Sequence, residues 1–304
     1  MKVTVALNPT AGGGRHGTRL NAVLDGLRGH VDVEVLTAAG AGEALGGYRE
    51  AIDRGTDALV AIGGDGTFHT AAQAVAGGRT PVGLVPTGTC NDLADALGLP
   101  PDPVAAARAV GEALAAGRTR EVDLARVDYP DGRSVRFASV LMIGYAASVA
   151  DRGSRLRRPS GPRRYDVAAV LELPRFRPEV YEVELDGVPA TLPAVLFAVG
   201  NTRRFGGKLH VCPDARVDDG LLDVATMGPN TLVATLGTVL RLFSGKARAS
   251  DTSTRRFRVR SVRVANPGLL VCADGEALPP PPFTITGEPG ALVVPAAGGT
   301  GGGR

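Results

Sequence analysis

Gly63-Gly64-Asp65-Gly66-Thr67 sets a lone carboxylate among three glycines, directly after the apolar run ALVAI and ahead of a helical stretch. Glycines let a backbone come close to a ligand, and successive N–H groups at such a turn form a concave site for anions. A carboxylate inside a phosphate loop would be repelled by phosphate unless a cation lies between them. Asp65 therefore reads as a partner of Mg²⁺, directly or through water, with a simple turn as the competing reading. A second such loop follows the run PVGLVP: Pro86-Thr87-Gly88-Thr89-Cys90-Asn91-Asp92. In an open parallel sheet, loops at the carboxyl ends of neighbouring strands converge on one crevice. Asp92 is then expected beside the same cation. Taken alone, Asn91 or Thr89 reads equally well as a helix cap.

A third glycine-rich loop comes earlier, from Asn8 to Gly17, in which Gly12, Gly14 and Gly17 satisfy G-x-G-x-x-G. The dinucleotide form of that pattern needs an acid closing the next strand, and Thr37 stands there. The Walker form needs a lysine after the last glycine, and Thr18 follows it. What remains is a set of backbone N–H groups at a helix start, able to face an anion.

These loops need a scaffold that aims them at one place. Short apolar runs (KVTVALN, VDVEVLT, DALVAIG, PVGLVP) alternate with helical stretches over the first 125 residues. That alternation implies a parallel sheet covered on both faces, a Rossmann-like α/β domain. From about Glu121 the runs shorten (VRFASVLMI, EVYEVELDG, AVLFAVG, FRVRSVRV, GLLVCADG), and Asp-Gly pairs recur at Asp131, Asp186, Asp219 and Asp274. This pattern predicts antiparallel hairpins and a β-sandwich, with helical segments near Arg164–Leu173 and Thr231–Leu242. The expected division is 1–122, with about 290–297 returning to it, then a β-rich domain over 123–289 and a disordered tail over 298–304.

Length and composition agree with this division. A chain of 304 residues, 44% hydrophobic and 21% charged, suits two modest globular domains. A net charge of +3 and the lack of a basic stripe interleaved with aromatics argue against nucleic acid as a partner. Six arginines fall between Arg152 and Arg164 with no acid inside the run. A solvated loop is one reading. A patch for anionic lipid headgroups is the other, each basic residue being worth about 1 kcal/mol. No apolar run approaches the roughly 18 residues that span a bilayer, and MKVTVALNPT lacks the apolar block of a signal peptide. Cys90, Cys212 and Cys272 are widely spaced and read as buried thiols of a reducing cytoplasm.

The order of motifs resembles that of the diacylglycerol kinase family, which includes sphingosine, ceramide and bacterial lipid kinases. GGDGT followed by P-x-G-T-x-N-D is that family's paired signature, and Asn8-Pro9 with its glycines resembles its opening motif. Asn201, the following FGGK, PDARVDDGLLDV and Asp274-Gly275-Glu276 resemble its later region, so the similarity runs from about Lys2 to Pro295. The resemblance implies ATP and Mg²⁺ as cofactors and a lipid hydroxyl as phosphoryl acceptor. It also implies a nucleotide-binding domain joined to a β-rich domain, with catalysis between them, and a last strand, ALVVP, returning to the first domain. Nucleotide contacts would come from Asn8, Gly12, Thr37, Gly63, Gly64, Asp65, Gly66, Thr67, Thr87, Gly88, Thr89 and Asn91. Asp65 and Asp92 would organise the metal. Asp274 would be the general base, with Glu276 assisting it or the metal. Asp219 and the backbone of Leu221 resemble a second, structural Mg²⁺ site. The expected setting is cytoplasmic and peripheral to a membrane surface, and a homodimer is left open.

Several positions depart from the family. His69 and Thr70 replace an Asn-Glu pair, and Asp95 replaces an arginine. Arg216 stands where another acid would serve the structural metal, for which Asp218 or Asp223 would have to compensate. These departures keep two alternatives open: the same fold acting on a soluble hydroxyl compound, and a nucleotide-binding regulator without catalysis. The GGDG loop alone does not decide, because NAD kinases and phosphofructokinases also carry it.

Overall fold

In the computed structural model the described residues are 1–7, 17–38, 40–156, 158, 163–173, 177–207, 209–228 and 254–297. The chain divides into two units, Met1–Asp123 with Pro289–Arg304, and Leu124–Glu288. It passes from one to the other within two long strands, β5 (Thr119–Asp128) and β16 (Phe283–Pro295). The expected helix at Thr231–Leu242 and the tail at 298–304 lie outside the described residues.

The first unit alternates β1 (Lys2–Leu7), α1 (Gly17–Arg28), β2 (Asp32–Thr37), α2 (Ala41–Asp53), β3 (Ala58–Gly63), α3 (Asp65–Val75), β4 (Val82–Pro86), α4 (Asp92–Ala96) and α5 (Pro103–Ala115). Its four strands pair in parallel in the order β2-β1-β3-β4. Val3 and Val5 of β1 join Val60 and Ile62 of β3 in a core closed by Val23, Leu24 and Leu27 of α1 and Val110 and Leu114 of α5. Helices α2 and α3 pack on each other. Every residue of β3 and β4 is buried, which is why these strands read as unbroken apolar runs. Helix α5 shows how local chemistry sets the ends. Asp102 accepts a hydrogen bond from Ala105 N (2.9 Å), Pro103 occupies the first turn, and Gly117 follows the last at φ 64°.

The sheet order reverses between β1 and β3, since β2 lies on one side of β1 and the later strands on the other. Such a switch point opens a crevice at the carboxyl ends of the strands. The loop after β3, carrying Asp65, begins there.

The second unit holds two six-stranded sheets. One runs β12-β11-β10-β7-β14-β15, from β7 (Val140–Ile143), β10 (Leu196–Gly200), β11 (Leu222–Met227), β12 (Thr254–Val259), β14 (Val271–Ala273) and β15 (Glu276–Leu278). The other runs β6-β5-β16-β13-β8-β9, adding β6 (Ser134–Phe137), β8 (Glu179–Leu185), β9 (Val188–Ala194) and β13 (Ser261–Val264). Alternate residues of both sheets interleave in one antiparallel β-sandwich core: Leu141, Phe197 and Val224 from the first meet Tyr181, Val262 and Ile285 from the second. Burying each such side chain is worth about 1.5–3 kcal/mol.

Three expectations need correction. VRFASVLMI is one apolar run in the sequence, yet β6 and β7 belong to different sheets, and the chain crosses between them at Ala138-Ser139. The arginine-rich stretch is not a single loop. Its start closes α6 (Tyr145–Arg155) and its end opens α7 (Arg163–Glu172). These helices pack where Gly153 has no side chain, because a Cβ there would lie 2.3 Å from the Tyr165 ring. Arg152 pairs with Glu172, and Arg155 with Asp151 at 2.7 Å. Last, Asp219-Gly220 is not a hairpin turn; it ends a loop that enters β11. Cys212 and Cys272 are buried free thiols as expected, whereas Cys90 is only half-buried.

Candidate active site

The two glycine-rich loops of the first unit meet through their backbones. Thr87 N donates to Gly63 O at 2.9 Å, joining the residues that follow β4 to the end of β3. Gly64 and Gly88 are so close that a Cβ on Gly88 would sit 2.4 Å from Gly64 Cα and 2.8 Å from Asn91 Oδ1. Only glycine fits that approach. Gly63 is constrained from the other side, since a Cβ on it would lie 2.2 Å from Thr67 Oγ1.

Asn91 has the left-handed backbone, φ 54°, at the residue before α4. Its side chain does not cap that helix. It turns back so that Gly88 N donates to Oδ1 and Nδ2 donates to Gly88 O, both at 3.1 Å. Asparagine tolerates this conformation and closes the loop on itself. Asp65 opens α3, and its Oδ1 accepts from Leu93 N at 3.3 Å. Leu93 directly follows the buried Asp92, so the structure brings the two predicted metal-organising carboxylates into one locality. Thr89 is exposed beside them, Thr67 half-buried, and Thr37 exposed at the end of β2. Asn8 and Gly12 lie outside the described residues. Of the departing positions, Thr70 donates to Gly66 O at 3.2 Å within α3, and Asp95 is exposed in the first turn of α4.

The chemistry of this donor set fits Mg²⁺. That ion takes one or two carboxylates and completes its shell with water and substrate phosphate oxygens rather than with an all-protein cage. Among the described residues no three His, Cys, Asp or Glu side chains converge as a complete metal cage.

In the second unit Asp274 and Gly275 form the two-residue turn between β14 and β15, at φ 51° and 88°. Positive φ at both centres is what the favoured hairpin turn requires. Asp274 is 7% exposed, and both carboxylate oxygens are engaged: Oδ2 accepts from Ala138 N and Oδ1 from Ser139 N, each at 2.8 Å. Those donors belong to the crossing between β6 and β7, where backbone N–H groups leave the sheet ladder and must find other acceptors. Asn201, 1% exposed and next after β10, braces the same crossing. Its Nδ2 donates to Ala138 O at 3.0 Å and its N donates to Ser139 O at 2.8 Å. Among the described residues the buried Ser139 hydroxyl has no hydrogen-bond partner. Glu276 lies exposed on β15.

Asn201 and the Ala138-Ser139 crossing form the surroundings of Asp274, and sequence reasoning assigned them no role. Asn201 had a signal in the motif around it. The crossing had none, because nothing in an apolar run marks where a chain changes sheets.

Asp219 and Leu221 lie elsewhere in the second unit. Asp219 Oδ1 accepts from Leu221 N at 3.0 Å, and Oδ2 is held by the Arg258 guanidinium. Arg216 turns to Asp218 at 3.1 Å. Burial raises Asp223 to a pKa of about 6, with Arg258 opposing that shift and Asp219 and Asp214 adding to it.

One unit is an α/β domain with two glycine loops in contact and the other a β-sandwich with a clasped carboxylate, and comparison with known proteins places both. Residues 2–127 match the model of the diacylglycerol kinase catalytic domain, and residues 139–296 that of the YegS C-terminal NAD kinase beta sandwich-like domain. A protein of Mycobacterium tuberculosis named "Diacylglycerol kinase" is 36% identical over 96% of this chain and 94% of its own. One of Stenotrophomonas maltophilia named "Probable lipid kinase YegS-like" is 31% identical over 86% and 85%. Among solved structures, a diacylglycerol kinase of Bacillus anthracis shares the fold at a TM-score of 0.72 and 22% identity, over 97% of this chain and 96% of that one.

The chain belongs to the diacylglycerol kinase catalytic domain family. It is a kinase that transfers a phosphoryl group to an alcohol.

Proposed function

We propose that this chain transfers the γ-phosphoryl group of ATP to a hydroxyl of diacylglycerol or a related lipid, with Mg²⁺, at a membrane surface. One observation carries the nucleotide half: Asp65 is tied to the backbone immediately after Asp92, across two glycine loops in backbone contact. The N–H groups of Gly64 and Gly66 would donate to phosphate oxygens, and Asp65 and Asp92 would hold the cation. Mg²⁺ supplies neutralisation of the charge spread over the transferring group. Asn91 fixes Gly88, and with it the spacing of the two loops.

Asp274 is the general base. It takes the hydroxyl proton as the alcohol oxygen bonds to phosphorus and the bond to the leaving ADP oxygen breaks. Two backbone N–H donors fix its orientation and leave lone pairs on both oxygens for that proton. A base of this kind contributes about 10²–10⁴-fold. Among the described residues no helix is long and apolar enough to cross a membrane, so the lipid is met at the surface.

A transfer assay with labelled ATP, run against detergent-dispersed lipids and against soluble alcohols, tests the reading. Label in the lipid fraction, dependent on Mg²⁺ and lost in Asp274→Asn while ATP binding persists, is the expected result. Label confined to soluble alcohols would replace the acceptor. An unimpaired Asp274→Asn would remove the base.

A further inference from the structure

We infer that the Arg258 guanidinium is the built-in cation of the loop entering β11, and that the second unit needs no structural metal there. The inference is independent of the catalytic reading. The loop concentrates negative charge: Asp219 has its side chain 19% exposed and Asp223 8%. Two carboxylates so placed repel each other and require a cation between them. A divalent ion would meet that need only with enough oxygen ligands. The resemblance to bacterial lipid kinases implies such a site from Asp219, the Leu221 backbone and an acid at position 216.

Three features of this chain disagree. Position 216 is an arginine, and it points to Asp218. Asp219 spends one oxygen on Leu221 N–H and the other on Arg258. Arg258 lies directly opposite Asp223 in the β11–β12 register, with Nε 3.7 Å from Asp223 Oδ2. One guanidinium thus faces both carboxylates, and a second cation would meet its repulsion. Its planar fork delivers charge with fixed direction. A metal leaves when chelated or when its ligands are protonated. Arg258 cannot leave, because β12 carries it.

The test uses nucleotide-free protein, so it stands or falls separately from any transfer assay. Divalent binding is measured with Mn²⁺ by electron paramagnetic resonance on Asp65→Asn/Asp92→Asn, which removes the proposed catalytic pair. The expected result is no tight site, and a Tm of that variant moved less than about 1 °C by EDTA or by millimolar Mg²⁺, Mn²⁺ or Ca²⁺. A tight Mn²⁺ site in that variant that disappears on adding Asp219→Asn would overturn the inference. The converse is also measurable. Arg258→Ser lowers Tm by roughly 5 °C or more by leaving two carboxylates without their cation. Arg258→Ser combined with Arg216→Asp recovers part of that loss when Mn²⁺ is added. Should these variants fail to fold, the Mn²⁺ count on the Arg258-containing protein still decides.

Discussion

Asp186 and Asp274 hold the same local structure and differ in what surrounds it. Each begins a two-residue Asp-Gly hairpin turn with positive φ, 50° and 51°. Each donates its own N–H to a neighbouring segment, Asp186 to Ser261 O and Asp274 to Val140 O. Each carboxylate catches two successive backbone N–H groups at 2.8 Å, those of Arg260 and Ser261 for Asp186 and those of Ala138 and Ser139 for Asp274. The clasp is therefore what an Asp-Gly turn does in this sandwich and is not itself a mark of catalysis. The distinction lies around it. Asp186 is exposed and uses one oxygen for both donors, whereas Asp274 is buried, uses both, and is backed by Asn201 and an unpartnered Ser139 hydroxyl.

The comparison breaks most sharply under amide substitution. Asp274→Asn lowers transfer by about 10²–10⁴-fold, with ATP affinity retained in a calorimetric titration. Asp186→Asn leaves transfer within about twofold and costs about 1 kcal/mol of stability through one weakened acceptor. If both variants lose transfer alike, or neither does, the two turns are equivalent and Asp274 is only a clasp.

A third carboxylate on a backbone N–H, Asp65 on Leu93, belongs to the first unit, and there the constraint is the glycine contact rather than a hairpin. Gly88→Ala puts a Cβ 2.4 Å from Gly64 Cα. Backbone must move, which costs about 1–3 kcal/mol and separates the loops. The expected outcome is at least tenfold weaker ATP binding. Gly187→Ala, whose Cβ would meet nothing within 4 Å, costs only the strain of positive φ, about 1–2 kcal/mol, with ATP binding unchanged.

This contrast also explains what could be read from the sequence. Parallel strands buried on both faces leave continuous apolar runs, and their loops keep glycines where backbones touch, so β3, β4 and both glycine loops were legible in the sequence. In the sandwich, four Asp-Gly pairs look alike in sequence, yet one enters β11 from a loop, one is an exposed turn paired with its own neighbour Arg133, one is a clasp in solvent and one is buried. Burial is decided by which strands lie alongside, and that is set by pairings many residues apart. Helix α6 was missed for a related reason: Gly144, at φ 77°, starts it from within an apolar run, and the arginines at its end looked like solvent.

Asn201 tests whether the setting, rather than the clasp, makes Asp274 different. Asn201→Ala deletes the donor to Ala138 O and leaves that carbonyl buried, a cost of about 1–3 kcal/mol. We expect kcat to fall roughly tenfold, about 1.4 kcal/mol of barrier, with KM for ATP unchanged. Asn201→Asp, which keeps size but loses the donor, should not rescue it. A change in KM for ATP alone would assign Asn201 to the nucleotide instead.

The smallest effect concerns a buried carboxylate whose Oδ2 lacks a hydrogen bond. Among the described residues Asp223 Oδ2 has no hydrogen-bond partner and faces Arg258 at 3.7 Å, and burial raises its pKa to about 6 against the opposing charges of Arg258 and Arg256. The folded state therefore binds a proton more tightly than the unfolded chain does between about pH 4 and pH 6. For a raised carboxylate the sign is that stability falls as pH rises through this window, and above it the cost of the ionised form is complete. Asp223→Asn removes the charge, so it should raise Tm at pH 7.5, by no more than the equivalent of about 3 kcal/mol. The gain should shrink toward zero by pH 4, because the natural side chain is then neutral as well. Thermal melts of both proteins across that range give the curve, and a loss of Tm at pH 7.5 that faded toward pH 4 would mean that Arg258 governs Asp223 more strongly than burial does.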